Sequence, residues 1–368
     1  MNTMNGKYVL ITGGAGFIGA NLADKFLSMG RPVLIFDNLS RAGVEKNVVQ
    51  LKEKYGDLLR VDIADVRNVH SVRRAVGDAE AVFHFAAQVA VTTSITDPAM
   101  DFEVNARGTL NVLEALRLTR GQSKKAPPLI FTSTNKVYGA LEDMKITAHG
   151  TRYLPESAGL FSFGVGEEKP LAFHSPYGCS KGAADQYALD YAKTFGLPAC
   201  VFRMSCIYGP RQMGTEDQGW VAHFLISAIE GRAITIYGDG MQVRDVLFVD
   251  DLVSAFLLGL KNMDTITGQA FNIGGGPGNS ISLVEFLDLI EEVRGEKPKV
   301  AYSNWRPADQ KYFISDTRRF RAATGWTPKT DVVTGVGALH DWLLESAFAG
   351  NAVFKTEQDV STGAGSKA

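Results

Sequence analysis

The chain has 368 residues, with 38 Lys plus Arg against 40 Asp plus Glu and a formal net charge of −2. That balance provides no field to hold nucleic acid or a membrane surface, and the length can bury a large core in one big domain or two lobes. Three cysteines, Cys179, Cys200 and Cys206, form neither an even framework nor a CxxC pair, which suits a reducing, cytoplasmic setting.

The six histidines (His70, His84, His149, His174, His223 and His340) lie scattered without metal-ligand spacing, so structural roles are expected and no metal. The opening MNTMNGKYVLITGG lacks the basic flank, long apolar run and small-residue cleavage site of a secretory signal. No segment reaches the run of about 18 apolar residues that a membrane helix needs. Residues 350–368 lose apolar periodicity and are expected to form a disordered tail.

The first predicted strand, KYVLIT, runs into TGGAGFIG, which holds Gly13, Gly14, Gly16 and Gly19. Glycines there let the backbone turn tightly and bring a pyrophosphate to amides at a helix N-terminus. Gly13, Gly16, Phe17, Ile18 and Gly19 are therefore candidate cofactor contacts. A glycine turn with no ligand is the competing reading; the position after a strand and before a helix, NLADKFLSMG, weighs against it. The next strand, PVLIFD, ends on Asp37, 18 residues past Gly19. A carboxylate there accepts hydrogen bonds from an adenosine ribose and repels a 2′-phosphate, favouring NAD over NADP. Asn38 and Arg41, in the same FDNLSR stretch, join the cofactor candidates, Arg41 against either the adenine or solvent.

The runs LLRVDI, AVFHFA, PLIFTS and ACVFRM follow, separated by helix-like stretches such as NVLEALRLT. Continuous apolar runs suit strands covered on both faces. Their alternation with helices predicts an α/β fold, a Rossmann-type doubly wound parallel sheet. PLIFTS surfaces in FTSTNKVYG, where Thr134, Asn135 and Lys136 crowd a hydroxyl, an amide and an ammonium. HSPYGCSKGAADQYALDYAKTFG then carries Tyr177 and Lys181 four residues apart, on one face of a predicted helix. A phenol with its ordinary pKa of about 10 is a poor base at neutral pH. A nearby ammonium and a positive nicotinamide favour phenolate and move the pKa toward the working range. The spacing alone occurs readily by chance; beside a glycine loop and a strand-end hydroxyl cluster it reads as a proton-transfer pair.

Beyond Tyr208 the pattern loosens through GPRQMGTEDQGW, ITIYGDG, VRDVLFVDDL, FNIGGG and SLVEFLDLIEEV. This half reads as a smaller C-terminal substrate-binding lobe interleaved with the sheet. The expected division gives residues 1–205 plus about 243–270 to the dinucleotide domain, and 206–242 with 271–346 to the lobe. A ligand belongs in the cleft at the carboxyl ends of the strands.

GGAGFIG, HFAAQV, STNKVYG, YGCSK, YGDGMQVRDVLFVDDL and NIGG together resemble the extended short-chain dehydrogenase/reductase family of nucleotide-sugar epimerases and dehydratases. The resemblance runs from Tyr8 to about Trp342. It implies that Tyr177 deprotonates a sugar hydroxyl while NAD takes hydride from the same carbon. It further implies that Lys181 binds the nicotinamide ribose and lowers the phenol pKa, and that Thr134 hydrogen-bonds the reacting oxygen. It puts Asp62 and Ile63 at the adenine, Ala86, Ala87 and Gln88 along the dinucleotide, and Asn105 in the helix beside it. A homodimer or homotetramer, paired through a bundle of the Tyr177 helix and the Asn105 helix, follows from the same analogy.

In the 4,6-dehydratases of that family the Thr is followed by Asp and Glu, the acid and base of water elimination. Here Asn135 and Lys136 stand in those places, so elimination lacks both. The 4-epimerases usually carry small or hydroxyl residues there. Asn-Lys, HSPYGCSKGAADQY, DQGWV and the long insert between Tyr138 and Tyr177 look most like the subgroup of 2-epimerases acting on CDP-paratose. Inversion of carbon 2 of a CDP-sugar is thus implied, with Asn135 and Lys136 gripping sugar hydroxyls; a structural ion pair is the other reading of Lys136. Met204 and Ser205 depart from the pattern, which expects His and Asn. Guanidiniums suit a diphosphate; by resemblance Arg244 and Arg306 are the substrate candidates, while Arg211 also reads as a surface charge. Gln218, Gly219 and Trp220 open the lobe's helix toward base or ribose, with core packing the other reading of Trp220. The rival activities are a 4-epimerase of UDP- or CDP-hexoses and a non-catalytic NAD(P)-binding sensor.

Overall fold

The structure, a computed structural model, describes residues 7–121, 126–306 and 309–348. The expected disordered tail lies outside the described residues. Seven strands form one sheet in the order Ala270–Ile273, Ala199–Met204, Leu129–Thr134, Ala79–His84, Tyr8–Thr12, Val33–Asp37 and Leu59–Ile63. Every neighbouring pair is parallel. Tyr8–Thr12 and Leu129–Thr134 are buried along their whole length, as strands covered on both faces must be. Leu59–Ile63, at the edge, is buried only at Leu59 and exposed at Arg60 and Ile63.

The order is the doubly wound one, and the chain reverses direction across the sheet between Tyr8–Thr12 and Ala79–His84. One face packs an aromatic cluster in which Phe202 and Phe256 stack at 5.6 Å and Phe83 meets Phe256 edge-on at 5.8 Å. Fully burying each such ring contributes on the order of 1.5–3 kcal/mol. The other face is covered by the helix Ser175–Phe195, which carries Pro176 in its first turn and stops at Gly196, whose φ of 61° and ψ of 35° are left-handed. Tyr177, Lys181, Ala184, Ala188 and Tyr191 recur at helical spacing and are all buried, so this helix presents one continuous stripe to the sheet.

The smaller lobe has its own core, in which Phe224, Leu225, Ile236, Phe286 and Leu339 meet. Its four-stranded sheet joins Ser280–Ser282, Val243–Phe248, Tyr312–Phe313 and Cys206–Tyr208. The structure divides the chain differently from the expectation at two places. Val243–Phe248, expected in the dinucleotide domain, is the central strand of the lobe sheet. Ala270–Ile273, split by the expected boundary, edges the seven-stranded sheet beside Ala199–Met204. The insert before Tyr177 also leans on the lobe. Its hairpin, Ile146–His149 with Arg152–Pro155, ties Tyr153 N–H to the Met241 carbonyl at 3.0 Å and pairs Arg152 with Glu285.

Candidate active site

The glycine loop leaves Tyr8–Thr12 where the sheet order reverses. Gly13 has φ +68°, and a Cβ there would stand 2.6 Å from the Ala86 amide nitrogen, so the turn closes directly on the chain leaving Ala79–His84. Gly16 caps the helix Phe17–Ser28 without any side-chain cap, and no acidic residue occupies its first turn. Neither the cap nor the first turn of this helix thus supplies a side-chain anion to the amides of Phe17 and Ile18. At the end of the second strand the Asp37 carboxylate accepts from Ala15 N–H at 3.0 Å and Leu39 N–H at 2.8 Å. Burial pushes the Asp37 carboxyl up and the Arg41 guanidinium down, while the attraction between the two charges opposes both shifts. Unfilled helix-end amides, a backbone cradle with no room for a Cβ, and an acid at the second strand end fit a bound dinucleotide.

The other cofactor candidates surround this loop. Thr12 Oγ1 accepts from Ala86 N–H at 3.3 Å, and Ala87 follows it toward Gln88. Gln88 and Asn105 are locked together: Gln88 N–H donates to Asn105 Oδ1 at 2.8 Å, and Asn105 Nδ2 returns a bond to the Gln88 carbonyl at 3.0 Å. Asn105 also reaches Asp101 at 3.1 Å and Ser180 Oγ at 3.1 Å, joining this segment to the Tyr177 helix. Asn38 donates to Asp65 at 3.0 Å. Asp62 is paired with Arg74 at 2.9 Å, and Ile63 leaves 67% of its surface exposed, an apolar face beside the second strand end.

Thr134 ends its strand opposite Met204 and accepts from Lys136 N–H at 3.2 Å, capping the short 3₁₀ turn Asn135–Tyr138. Thr134 donates to Asn135 Oδ1 at 3.3 Å, and Asn135 Nδ2 donates to Gln310 Oε1 at 3.1 Å. Lys136 Nζ lies 3.6 Å from Asp309, whose same oxygen takes Arg244 at 2.8 Å. Arg244 is buried and also donates to the Val243 carbonyl at 2.8 Å. Lys136 thus has the ion pair that was the alternative to a sugar contact, and burial draws its ammonium below the ordinary lysine range.

Tyr177 and Lys181 share the buried stripe of their helix. Burial pushes the Tyr177 phenol up to about 12. The loss of water around the phenolate sets that direction; the expected lowering joins the positive nicotinamide to Lys181. Burial pulls Lys181 down to about 7, against the opposing pull of Asp185 and Asp101. Its Nζ donates to the Thr132 carbonyl at 2.6 Å and sits 4.4 Å from the Phe131 ring centre. Behind it His84, fully buried between Thr12 Oγ1 at 2.6 Å and Thr109 Oγ1 at 3.0 Å, is held neutral by burial, with its pKa near 3.

On the lobe side, Arg306 stacks over Tyr237 at 4.0 Å and reaches the Glu216 carbonyl at 3.1 Å. Gln218 closes a backbone bridge with Thr215, and Gly219 turns left-handed into the helix Trp220–Ile229. Trp220 packs edge-on against Phe224 and Phe286 and donates to Cys206 Sγ at 3.3 Å, so its ring belongs to the lobe core. Arg211 points the other way, to Gln50 at 3.1 Å and Asp24 at 3.8 Å. Ser205 donates to the Asp245 carbonyl oxygen at 3.0 Å. Asp309 and Gln310 were not singled out in the sequence; their one signal was a polar pair, WRPADQ, just past Arg306.

A parallel sheet in this order, with a glycine loop at its reversal and a Tyr–Lys pair facing a strand-end threonine, defines a dinucleotide-dependent enzyme. The model of the NAD dependent epimerase/dehydratase family matches residues 9–274, and the chain belongs to that family. It is 45% identical over 341 residues to the CDP-paratose 2-epimerase of Salmonella typhi, covering 91% of this chain and 98% of that protein. Among solved structures, the UDP-glucose 4-epimerase of Thermotoga maritima with UDP-glucose has a TM-score of 0.78 at 29% identity, covering 92% of this chain and 99% of that one. The UDP-glucose 4-epimerase of Thermus thermophilus in complex with NAD has a TM-score of 0.75 at 31% identity, covering 92% and 99%. The cofactor is NAD. Among the described residues, no helix is long and apolar enough to cross a membrane.

Proposed function

We propose that the protein is an NAD-dependent epimerase that inverts carbon 2 of a CDP-sugar, of the CDP-paratose to CDP-tyvelose type. The observation that carries this reading is the near end-to-end likeness to the Salmonella typhi CDP-paratose 2-epimerase, well above that to the 4-epimerases. The residues after Thr134 agree with it: Asn135 and Lys136 bring no carboxylate for elimination of water.

Bound NAD supplies a reversible hydride acceptor over carbon 2. In this reading Tyr177 takes the proton of the carbon-2 hydroxyl as the C–H bond gives up its hydride, and the keto-sugar turns before the hydride returns to the other face of carbon 2 and the proton to its oxygen. Lys181 binds the nicotinamide ribose and supplies positive charge beside the phenol, which burial alone would keep protonated. Thr134 holds the reacting oxygen. The loop residues Gly13, Gly16, Phe17, Ile18 and Gly19 take the pyrophosphate, with Asp37, Asn38 and Arg41 at the adenosine ribose. Asp62, Ile63, Ala86, Ala87, Gln88 and Asn105 line the rest. Arg244 and Arg306 meet the substrate diphosphate, Gln218 lies toward its base, and Asn135 and Lys136 face the sugar. Division into a dinucleotide domain and a substrate lobe, a cytoplasmic site and a homo-oligomer belong to the same reading. The exposed Met100, Phe102 and Tyr187, on the helices around Asn105 and Tyr177, support the last.

The test is product stereochemistry. The protein is incubated with CDP-paratose, CDP-glucose and UDP-glucose, and ring-proton couplings are followed by NMR. Inversion at carbon 2 of the CDP-sugar is expected; inversion at carbon 4 would replace this reading with a 4-epimerase.

A further inference from the structure

Residues 209–213 carry the chain from the strand Cys206–Tyr208 toward the lobe helix, and successive residues of this loop are tied to different neighbours. The Pro210 carbonyl accepts from Asn21 Nδ2 at 2.9 Å, and the same amide group donates to the Phe17 carbonyl one turn back, in the helix that the glycine loop opens. Arg211 donates to Gln50 at 3.1 Å and stands 3.8 Å from Asp24, so its guanidinium reaches the helices Phe17–Ser28 and Val44–Tyr55 at once. Met213 packs onto Gly43, where any Cβ would run into its sulfur. Gln212 faces the lobe instead, donating to the Ile207 carbonyl at 3.0 Å and lying 2.8 Å from where a Cβ on Gly219 would stand.

The loop is held in place at a conformational cost. Arg211 has φ +72°, a left-handed backbone that an L-residue with a long side chain rarely adopts. Such a conformation persists only where the surroundings over-determine it, and it recurs at ligand clamps. We infer that residues 210–213 form a latch across the adenosine and pyrophosphate end of bound NAD, which must lift off Gly43 and Asn21 before the dinucleotide leaves. The inference rests on the reading that puts Phe17 at the pyrophosphate and Asp37, Asn38 and Arg41 at the adenosine ribose. An epimerase returns the hydride it has taken to the same sugar, so its reduced cofactor has to stay bound until the cycle closes. A latch fastened to the cofactor helices but rooted in the lobe supplies that retention as a slow release rate, without touching the reacting atoms.

The test is the rate at which NAD leaves. Protein loaded with radiolabelled NAD is mixed with excess unlabelled NAD, and retained label is followed by rapid gel filtration. Release is read well below the thermal midpoints, so that only folded protein contributes. Arg211→Gly removes the guanidinium anchors and, with them, the backbone penalty; Met213→Ala opens the contact over Gly43. The double variant is expected to release NAD at least about tenfold faster than wild type, the scale of one lost hydrogen bond to a charged group. The thermal midpoint of the cofactor-free double variant should stay close to wild type, because relieved strain offsets the lost anchors. A part in the fold alone would show the reverse, a lower midpoint with release unchanged. Asp37→Ala keeps the two claims apart, since it removes the ribose acceptor and leaves the latch. If its release matches wild type, the placement of the adenosine fails. If Asp37→Ala releases fast while the double variant holds its label as wild type does, the latch is overturned.

Discussion

Lys136 stands 3.6 Å from the Asp309 oxygen that Arg244 also holds at 2.8 Å, so one carboxylate serves two cations at the mouth of the candidate site. Burial works to raise the Asp309 carboxyl, yet Arg244 and Lys136 hold it below its ordinary value. The same burial lowers Lys136, and Asp309 opposes that fall. Asp309→Asn removes the opposing charge, so Lys136 loses its proton more readily and Arg244 loses a partner. KM for the nucleotide sugar is expected to rise at least tenfold, about 1.4 kcal/mol, and part of the lost rate returns as pH is lowered. Steady-state kinetics between pH 6 and pH 9 check this, and a Lys136→Ala variant with wild-type turnover would remove Lys136 from the site.

A second buried pair concerns stability rather than chemistry. Arg203 grips Asp185 through two bonds of 2.9 Å each and reaches the Tyr138 hydroxyl at 3.2 Å, with both charged side chains almost fully buried. Asp185→Asn leaves a buried guanidinium without its counter-charge, a loss of about 3–5 kcal/mol. Urea unfolding should show it as a lower midpoint with an unchanged slope. An Asp185→Leu, Arg203→Met double variant should lose less than Asp185→Asn alone.

Lys181 makes stability rise with pH. Burial brings its folded pKa to about 7, against about 10.4 in an unfolded chain. Between those values the unfolded chain binds a proton that the folded one does not, so raising the pH favours the fold. The thermal midpoint of wild type, freed of cofactor, should therefore gain on that of Lys181→Met from pH 7 to pH 9.5. Parallel curves would contradict the assignment.

Gly13 offers no room for a side chain. Gly13→Val would set a Cβ 2.6 Å from the Ala86 amide nitrogen at a φ of +68°, where an L-residue carries roughly 1–2 kcal/mol of strain. The variant should melt clearly below wild type and retain less than about a tenth of the NAD content of wild type. Enzymatic assay of the released cofactor measures this directly.

The parallel sheet and the Tyr177–Lys181 face were legible because each has a local signature, a continuous apolar run in one case and a helical spacing in the other. The lobe boundaries were not. VRDVLF and AFNI read alike as buried strands, and nothing local says that the first joins the lobe sheet while the second edges the main one. Asp309 and Gln310 were hidden by distance, since the bond from Asn135 to Gln310 spans 175 residues. The burial of the phenol was hidden for a related reason. The spacing of Tyr177 and Lys181 displays a favourable charge but says nothing of the burial that works against it.

The account's central claim is oxidation and re-reduction at carbon 2 of a CDP-sugar. CDP-paratose carrying deuterium at carbon 2, turned over in ordinary water and read by NMR, tests it most directly. The expected product is inverted at carbon 2 and keeps its deuterium there, since the same hydride leaves and returns. Inversion with loss of the label to solvent, or a product changed at carbon 4, would contradict it.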